Sequence, residues 1–229
     1  MYKTHFIVFL TAANGVRHHD SNGTRHEVHV RTGGILSAGA IGSPQLLLLS
    51  GLGPNSSLLS LNILVVGDHP FVRQFMADNP RNSINLLVPV RLTDVGVRVA
   101  GITNSGPYVE SLTISRVSRP KSTGSLNLIS SFDVTVGPRV QFNYYSNTED
   151  LLQCRNIVDV FRNVLETQAV EEYKFPSIIG LRHFSYIGPS IPTDPSDEES
   201  IATFCRKTLA TFWHHHGGCL VNMVVDSHL

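Results

Sequence analysis

From Phe6 to about Gly34 apolar and polar side chains alternate, and Asp20-Ser21-Asn22-Gly23-Thr24 interrupts the alternation with turn residues, so the pattern predicts a β-hairpin arm. The apolar run Ile35-Leu36-Ser37-Ala38 predicts a short buried strand. It leads into Gly39-Ala40-Ile41-Gly42-Ser43-Pro44, with Leu46 to Leu49 before Ser50-Gly51. Here Ser43 is the expected helix N-cap, Pro44 the first helical residue and Gly51 the stop. Ser57 to Leu61 predicts a short helix, Ile63 to Val66 a strand, and Gly67 to Asn82 an exposed connection. Between Ser83 and Val136, β-branched runs broken by Gly, Pro and Ser predict antiparallel strands. Helical spacing returns over Asp150 to Tyr173, placing Leu151, Leu152, Ile157, Val158, Phe161 and Leu165 on one side. A long loop marked by Pro189, Pro192 and Pro195 then precedes a second helix, Asp197 to Phe212, acidic at its start and carrying Arg206 and Lys207 near its end. There is no internal repeat.

Composition narrows the function classes. The 229 residues, 41% of them hydrophobic, suffice for one large domain or two small ones. Lysine plus arginine and aspartate plus glutamate are each 18, so the chain lacks the electrostatic footprint of a nucleic-acid or anionic-membrane binder. No apolar run approaches the roughly 18 residues that span a bilayer. Phe6 to Leu10 is too short an apolar region for a secretory leader and reads as a strand. The three cysteines, Cys154, Cys205 and Cys219, are too few for a disulfide scaffold and lack zinc-finger spacing. Asn22-Gly23-Thr24 and Asn55-Ser56-Ser57 are glycosylation sequons.

The densest chemistry is Trp213-His214-His215-His216-Gly217-Gly218-Cys219. On a strand, His214 and His216 point to one face and His215 to the other, so at most two of the three could share an ion. No carboxylate stands at a motif-like spacing beside them, and no metal site is expected. An imidazole titrates near neutral pH and suits a general base.

Two runs carry a family resemblance: Gly39 to Gly53, and Trp213 to Cys219. The first is similar to the second signature of the glucose-methanol-choline (GMC) family of FAD-dependent oxidoreductases. The second resembles the Trp-His-Tyr-His-Gly-Gly-Cys run of its plant branch, which includes (R)-mandelonitrile lyases and HOTHEAD-like alcohol oxidoreductases; only the middle histidine departs. Asp78-Asn79-Pro80-Arg81 and Val140 to Asn147 look like further landmarks in family order. The resemblance implies a mixed α+β and α/β fold: a partial FAD-binding domain over residues 1–66, an antiparallel-sheet substrate domain with flanking helices over 67–210, and an active-site segment over 211–229. It implies FAD as cofactor of the complete protein, with Ala38, Gly39, Ala40, Gly217 and Gly218 beside it and His214 as catalytic base. Glu110, Phe212, Trp213 and His216 become pocket residues, with Trp213 expected to be buried as an apolar wall. It further implies a Cys154–Cys205 disulfide, a packed Cys219 thiol, a small cyanohydrin or alcohol substrate, and a secreted or vacuolar parent protein.

Departures from the family pattern keep three readings open. No Gly-x-Gly-x-x-Gly turn follows a strand, and the family's second catalytic His or Asn segment is missing after Cys219, so the chain resembles the middle of a longer enzyme and is not expected to retain FAD by itself. Arg73 stands where the family usually has glycine. The region between Ser111 and Ser125 looks shortened. Glu110 occupies the place of a cysteine in almond-type lyases, and Phe212 that of a tyrosine. The readings are a mandelonitrile-lyase-like enzyme, an FAD-dependent alcohol oxidoreductase, and an inactive fragment.

Overall fold

The computed structural model describes residues 3–9, 12–32, 34–91, 100–102, 108–110 and 114–224. Part of the Ser111 to Ser125 region, and of the predicted strands after Ser83, falls outside them. The chain forms two compact units of interleaved segments: 1–77, 123–143 and 215–229 make the first, and 78–122 and 144–214 the second.

The first unit opens with three antiparallel strands in the order β1 (Lys3–Phe9), β2 (Ala12–His19) and β3 (Arg25–His29). The β2–β3 turn is the expected one. Asp20 Oδ1 accepts from the backbone N–H of Asn22 and Thr24 at 2.9 and 2.8 Å, and Gly23 takes φ +82°. Hydrogen bonding to His26 and these amides holds the Asp20 carboxyl below its ordinary range.

The predicted strand Ile35 to Ala38 is absent, for residues 34–38 are irregular and Ile35 is 94% exposed. Four residues cannot form a buried strand without a neighbour to pair with, and no described strand pairs with them. Helix α1 spans Gly39–Leu49, with Ala38 as N-cap, so Ser43 and Pro44 lie inside it. Ser43 Oγ instead accepts from the Ala38 N–H across that first turn, at 3.1 Å. The stop is as expected: Gly51 takes φ +81°, and a Cβ there would lie 2.2 Å from the Leu64 carbonyl oxygen. Helix α2 spans Asn55–Ser60.

The predicted strand at Ile63 to Val66 is displaced, since pairing occurs at Gly67–Asp68, parallel to Leu52–Gly53. The stretch 67–82 is also not an exposed connection. It contains strands Gln74–Met76 and Arg81–Ser83, and Val72, Met76, Asp78 and Asn82 are buried. Burial here follows from pairing with distant strands, which local polarity does not report. Gln74–Met76 and Arg139–Gln141 flank Gly124–Asn127 in one sheet, and Leu48, Leu58, Ile63, Val72, Met76 and Leu126 form the first core.

The second unit holds a five-stranded antiparallel sheet in the order Leu209–Ala210, Arg81–Ser83, Ile114–Arg116, Tyr108–Glu110 and Ala100–Ile102. Helix α3, Thr148–Leu165, is capped by Asn147, whose side chain accepts from Glu149 N at 2.9 Å. It buries Cys154, Ile157, Val158, Phe161 and Leu165, whereas Leu152, placed on that side by the sequence pattern, is 56% exposed. A six-residue 3₁₀ turn over Gln168–Tyr173 completes the predicted helical region. Helix α4 spans Glu198–Lys207, with Asp197 as N-cap accepting from Ser200 N at 2.9 Å. It ends before the predicted Phe212 because Leu209–Ala210 joins the sheet. Cys154 on α3 and Cys205 on α4 form a disulfide, both residues 0% exposed.

Candidate active site

The histidine motif crosses the boundary between the units, with His214 in the second and His215 and His216 in the first. It is not a strand, and left-handed φ at Trp213 (+60°) ends any regular alternation after Phe212.

In the second unit the sheet sets the surroundings of His214. Ala210 pairs with Arg81 and Arg81 with Arg116, so the segment after Ala210 emerges beside two cations. The Arg116 guanidinium carbon lies 4.3 Å from the centroid of the Phe212 ring, and that of Arg81 5.4 Å. Attraction to the ring face offsets part of the repulsion between these like-charged neighbours. The His214 ring meets Phe212 edge-on at 5.1 Å, and Arg116 NH1 lies 3.0 Å from Nδ1 and 3.1 Å from Nε2. One N–H can serve only one ring nitrogen at a time, and that nitrogen must be the unprotonated one. A substrate hydroxyl that gives its proton to it must take the place of the guanidinium.

Behind this cluster, Asp78 is 1% exposed and its Oδ2 accepts from Tyr144 Oη at 2.6 Å and Thr211 Oγ1 at 2.7 Å. Thr211 Oγ1 in turn accepts from the Trp213 N–H at 3.2 Å. The buried carboxylate thereby orients the backbone that presents His214. Burial, together with the Asp78 carboxylate, raises the Tyr144 phenol above its ordinary range, so it stays a donor. Trp213 is 73% exposed rather than buried, stacked on Phe212 at 6.1 Å. Its left-handed backbone turns the indole out of the core of its unit. Glu110 ends the strand Tyr108–Glu110, opposite Ile114 and Ala100.

In the first unit, His215 stacks on Phe142 at 4.9 Å. His216 and Ala77 exchange two backbone bonds of 2.8 Å, Arg73 N donates to Gly218 O at 2.8 Å, and Gly218 N donates to Gln74 O at 3.0 Å. Both motif glycines are needed for this approach. Gly217 has φ +91°, and a Cβ there would stand 1.9 Å from the Phe75 carbonyl oxygen. A Cβ at Gly218 (φ +77°) would meet Met76, Pro44 and the Ala40 carbonyl oxygen at 2.9 to 3.1 Å. The missing Cβ at Gly218 lets its backbone lie against Pro44 and the Ala40 carbonyl in this turn of α1. Gly217→Ala is accordingly expected to cost about 3 kcal/mol, combining left-handed strain with overpacking. Gly23→Ala, at φ +82° with nothing within 4 Å of a Cβ, carries the strain alone and should cost about 1 kcal/mol. Parallel urea titrations give both values. Cys219 is a free, half-buried thiol that burial pushes above its ordinary range.

Ala38, Gly39 and Ala40 stand at the open start of α1, which has no side-chain cap and no acidic residue in its first turn. A Cβ at Gly39 would meet nothing within 4 Å. An eleven-residue helix with its first amides unshielded suits an anionic or polar portion of a cofactor.

Sequence reasoning missed Arg116 and the Tyr144–Asp78–Thr211 network. Asp78 belonged to a recognisable run, but nothing local links it to Thr211, and Arg116 lies in an unremarkable strand.

Comparison with known proteins places these features. Family models described as GMC oxidoreductase match residues 2–79 and 120–229. The sinalpyl alcohol oxidase Nec3 of Nesocodon mauritianus is 45% identical over 93% of this chain and 44% of its own length. The (R)-mandelonitrile lyase 2 of Prunus dulcis is 44% identical over 96% of this chain and 45% of its own. Among solved structures, pyridoxine 4-oxidase from Mesorbium loti superposes with a TM-score of 0.76 at 17% identity, covering 98% of this chain and 48% of that one. The chain thus spans about half the length of the curated relatives it matches.

Proposed function

Since the chain belongs to the GMC oxidoreductase family, whose complete members bind FAD, we propose that it supplies part of an enzyme acting on a small hydroxyl-bearing substrate in the manner of the mandelonitrile lyases, with His214 as general base. The observation that carries this reading is the His214 ring, exposed beside Arg116 and held by a backbone that the buried Asp78 orients through Thr211. The unprotonated ring nitrogen accepts the substrate hydroxyl proton as Arg116 is displaced from it. In a cyanohydrin, the electron pair left on oxygen forms the carbonyl and expels cyanide, which leaves with the carbon–carbon bonding pair. His214 then returns its proton to cyanide. Phe212 and Arg116 confine the ring, and Ala38 to Ala40 would hold FAD, with Gly217 and Gly218 packing the adjoining backbone. When bound, FAD supplies a hydride acceptor in oxidising members of the family.

A second reading, an FAD-dependent alcohol oxidoreductase, is favoured by Phe212, which brings a phenyl ring and no hydroxyl to the site, and by the 45% identity to an alcohol oxidase. The proton step at His214 is the same. Matched assays on the complete protein with an aryl cyanohydrin and an aryl alcohol separate the two. Cyanide release without flavin bleaching is expected for the lyase, and bleaching without release selects the oxidoreductase. Neither, from flavin-loaded protein, overturns both. We also propose an oxidising, secreted or vacuolar location, supported by the buried disulfide and by the exposure of Asn22 and Asn55 in the sequons.

A further inference from the structure

We propose that Arg73, Ser57 and Asn127 form a binding site for a short-chain aliphatic carboxylate. These side chains, with Leu58, Leu61 and Leu128 as walls, line a cavity of about 130 Å³ in the first unit. Arg73 stands at φ +76°, where the family usually has glycine, and its guanidinium is directed at neutral acceptors only. NH1 donates to Leu126 O at 3.1 Å and Asn127 Oδ1 at 2.6 Å, and NH2 donates to Ser57 Oγ at 2.8 Å. Among the described residues no carboxylate pairs with it, and Nε is buried without a hydrogen-bond partner. Burial disfavours the charged form, which leaves a cation in want of a counter-ion.

The hydrogen-bonding capacity that remains around the cavity is almost all donor. Ser57 Oγ accepts a hydrogen bond from Arg73 NH2 and keeps its own proton to donate, the second N–H of NH2 is unspent, and the Asn127 amide nitrogen has two. A carboxylate offers two acceptor oxygens and one charge, and a short alkyl tail covers the leucines. Phosphate and sulfate would instead set further oxygens against apolar walls, which is unfavourable.

The test is thermal unfolding of the 229-residue chain at constant ionic strength with chloride, sulfate, phosphate or butyrate as the anion. Saturating butyrate is expected to raise the midpoint by about 3 °C, in line with ligand linkage for a chain of this size. Arg73→Gly should abolish the shift while relieving the left-handed strain. Ser57→Ala, which keeps the charge, should require about tenfold more butyrate, equivalent to one hydrogen bond to a charged group. No shift with butyrate overturns the site, as does an equal shift in Arg73→Gly, an unchanged requirement in Ser57→Ala, or an equal shift with sulfate or phosphate. If Arg73→Gly does not fold, Ser57→Ala decides.

Discussion

Alanine at His214, in the complete flavin-loaded protein, is expected to lower turnover of an aryl cyanohydrin or alcohol by about a hundredfold or more while leaving the flavin bound. That is the usual scale for removing a positioned acid–base group. The flavin should stay because the open helix start at Ala38 to Ala40 is untouched. Phe212 and Arg116 keep each other's company without the imidazole, so the local fold should survive. His215→Ala should reduce turnover far less, since that ring is engaged in stacking on Phe142. Visible absorbance reports bound flavin, and initial rates report turnover. If His215→Ala proves the more damaging of the two, the assignment of the base to His214 is wrong.

Removing the Cys154–Cys205 disulfide, by a double alanine variant, is expected to cost about 4 kcal/mol in the chain-entropy model for a separation of 51 residues. The bond joins α3 to α4 inside the core of the second unit, where Ile157, Phe161, Ile201 and Phe204 surround it. Alanine leaves no unpaired hydroxyl there, so the loss reports the cross-link and a small packing defect. Urea unfolding of the oxidised wild type and the variant gives the difference. Peptide mapping without reductant should recover the 154–205 pair with Cys219 alkylated. Equal stability, or a link to Cys219, would refute the assignment. The network at Asn82, which donates to Cys205 O at 2.7 Å and Thr208 Oγ1 at 2.8 Å and accepts from the Tyr145 hydroxyl, should keep α4 on the sheet in either form.

Features enforced within a few residues are legible in the chain. The Asp20–Thr24 turn, the acidic start of a helix at Asp197 and the Gly51 stop follow from side-chain acceptors and a left-handed glycine acting on the nearest amides. The family resemblance likewise reads through to the disulfide, because both cysteines sit in runs whose order survives substitution. The apolar run at Ile35 shows the limit of local pattern, since hydrophobicity names a candidate for burial but cannot supply the strand that would bury it. The same holds for Pro44, whose helix begins five residues earlier at Gly39 because tertiary packing tolerates one unmade backbone bond. The composition, the Asp20–Thr24 turn, the Gly51 stop and the presence of the helices, though not all of their ends, were thus settled by the residues themselves. The pairing of Arg81 with Ala210 on one side and Arg116 on the other, and the buried Asp78–Thr211 link, were settled only by the fold, because each joins positions far apart in the chain whose contact no local energy specifies.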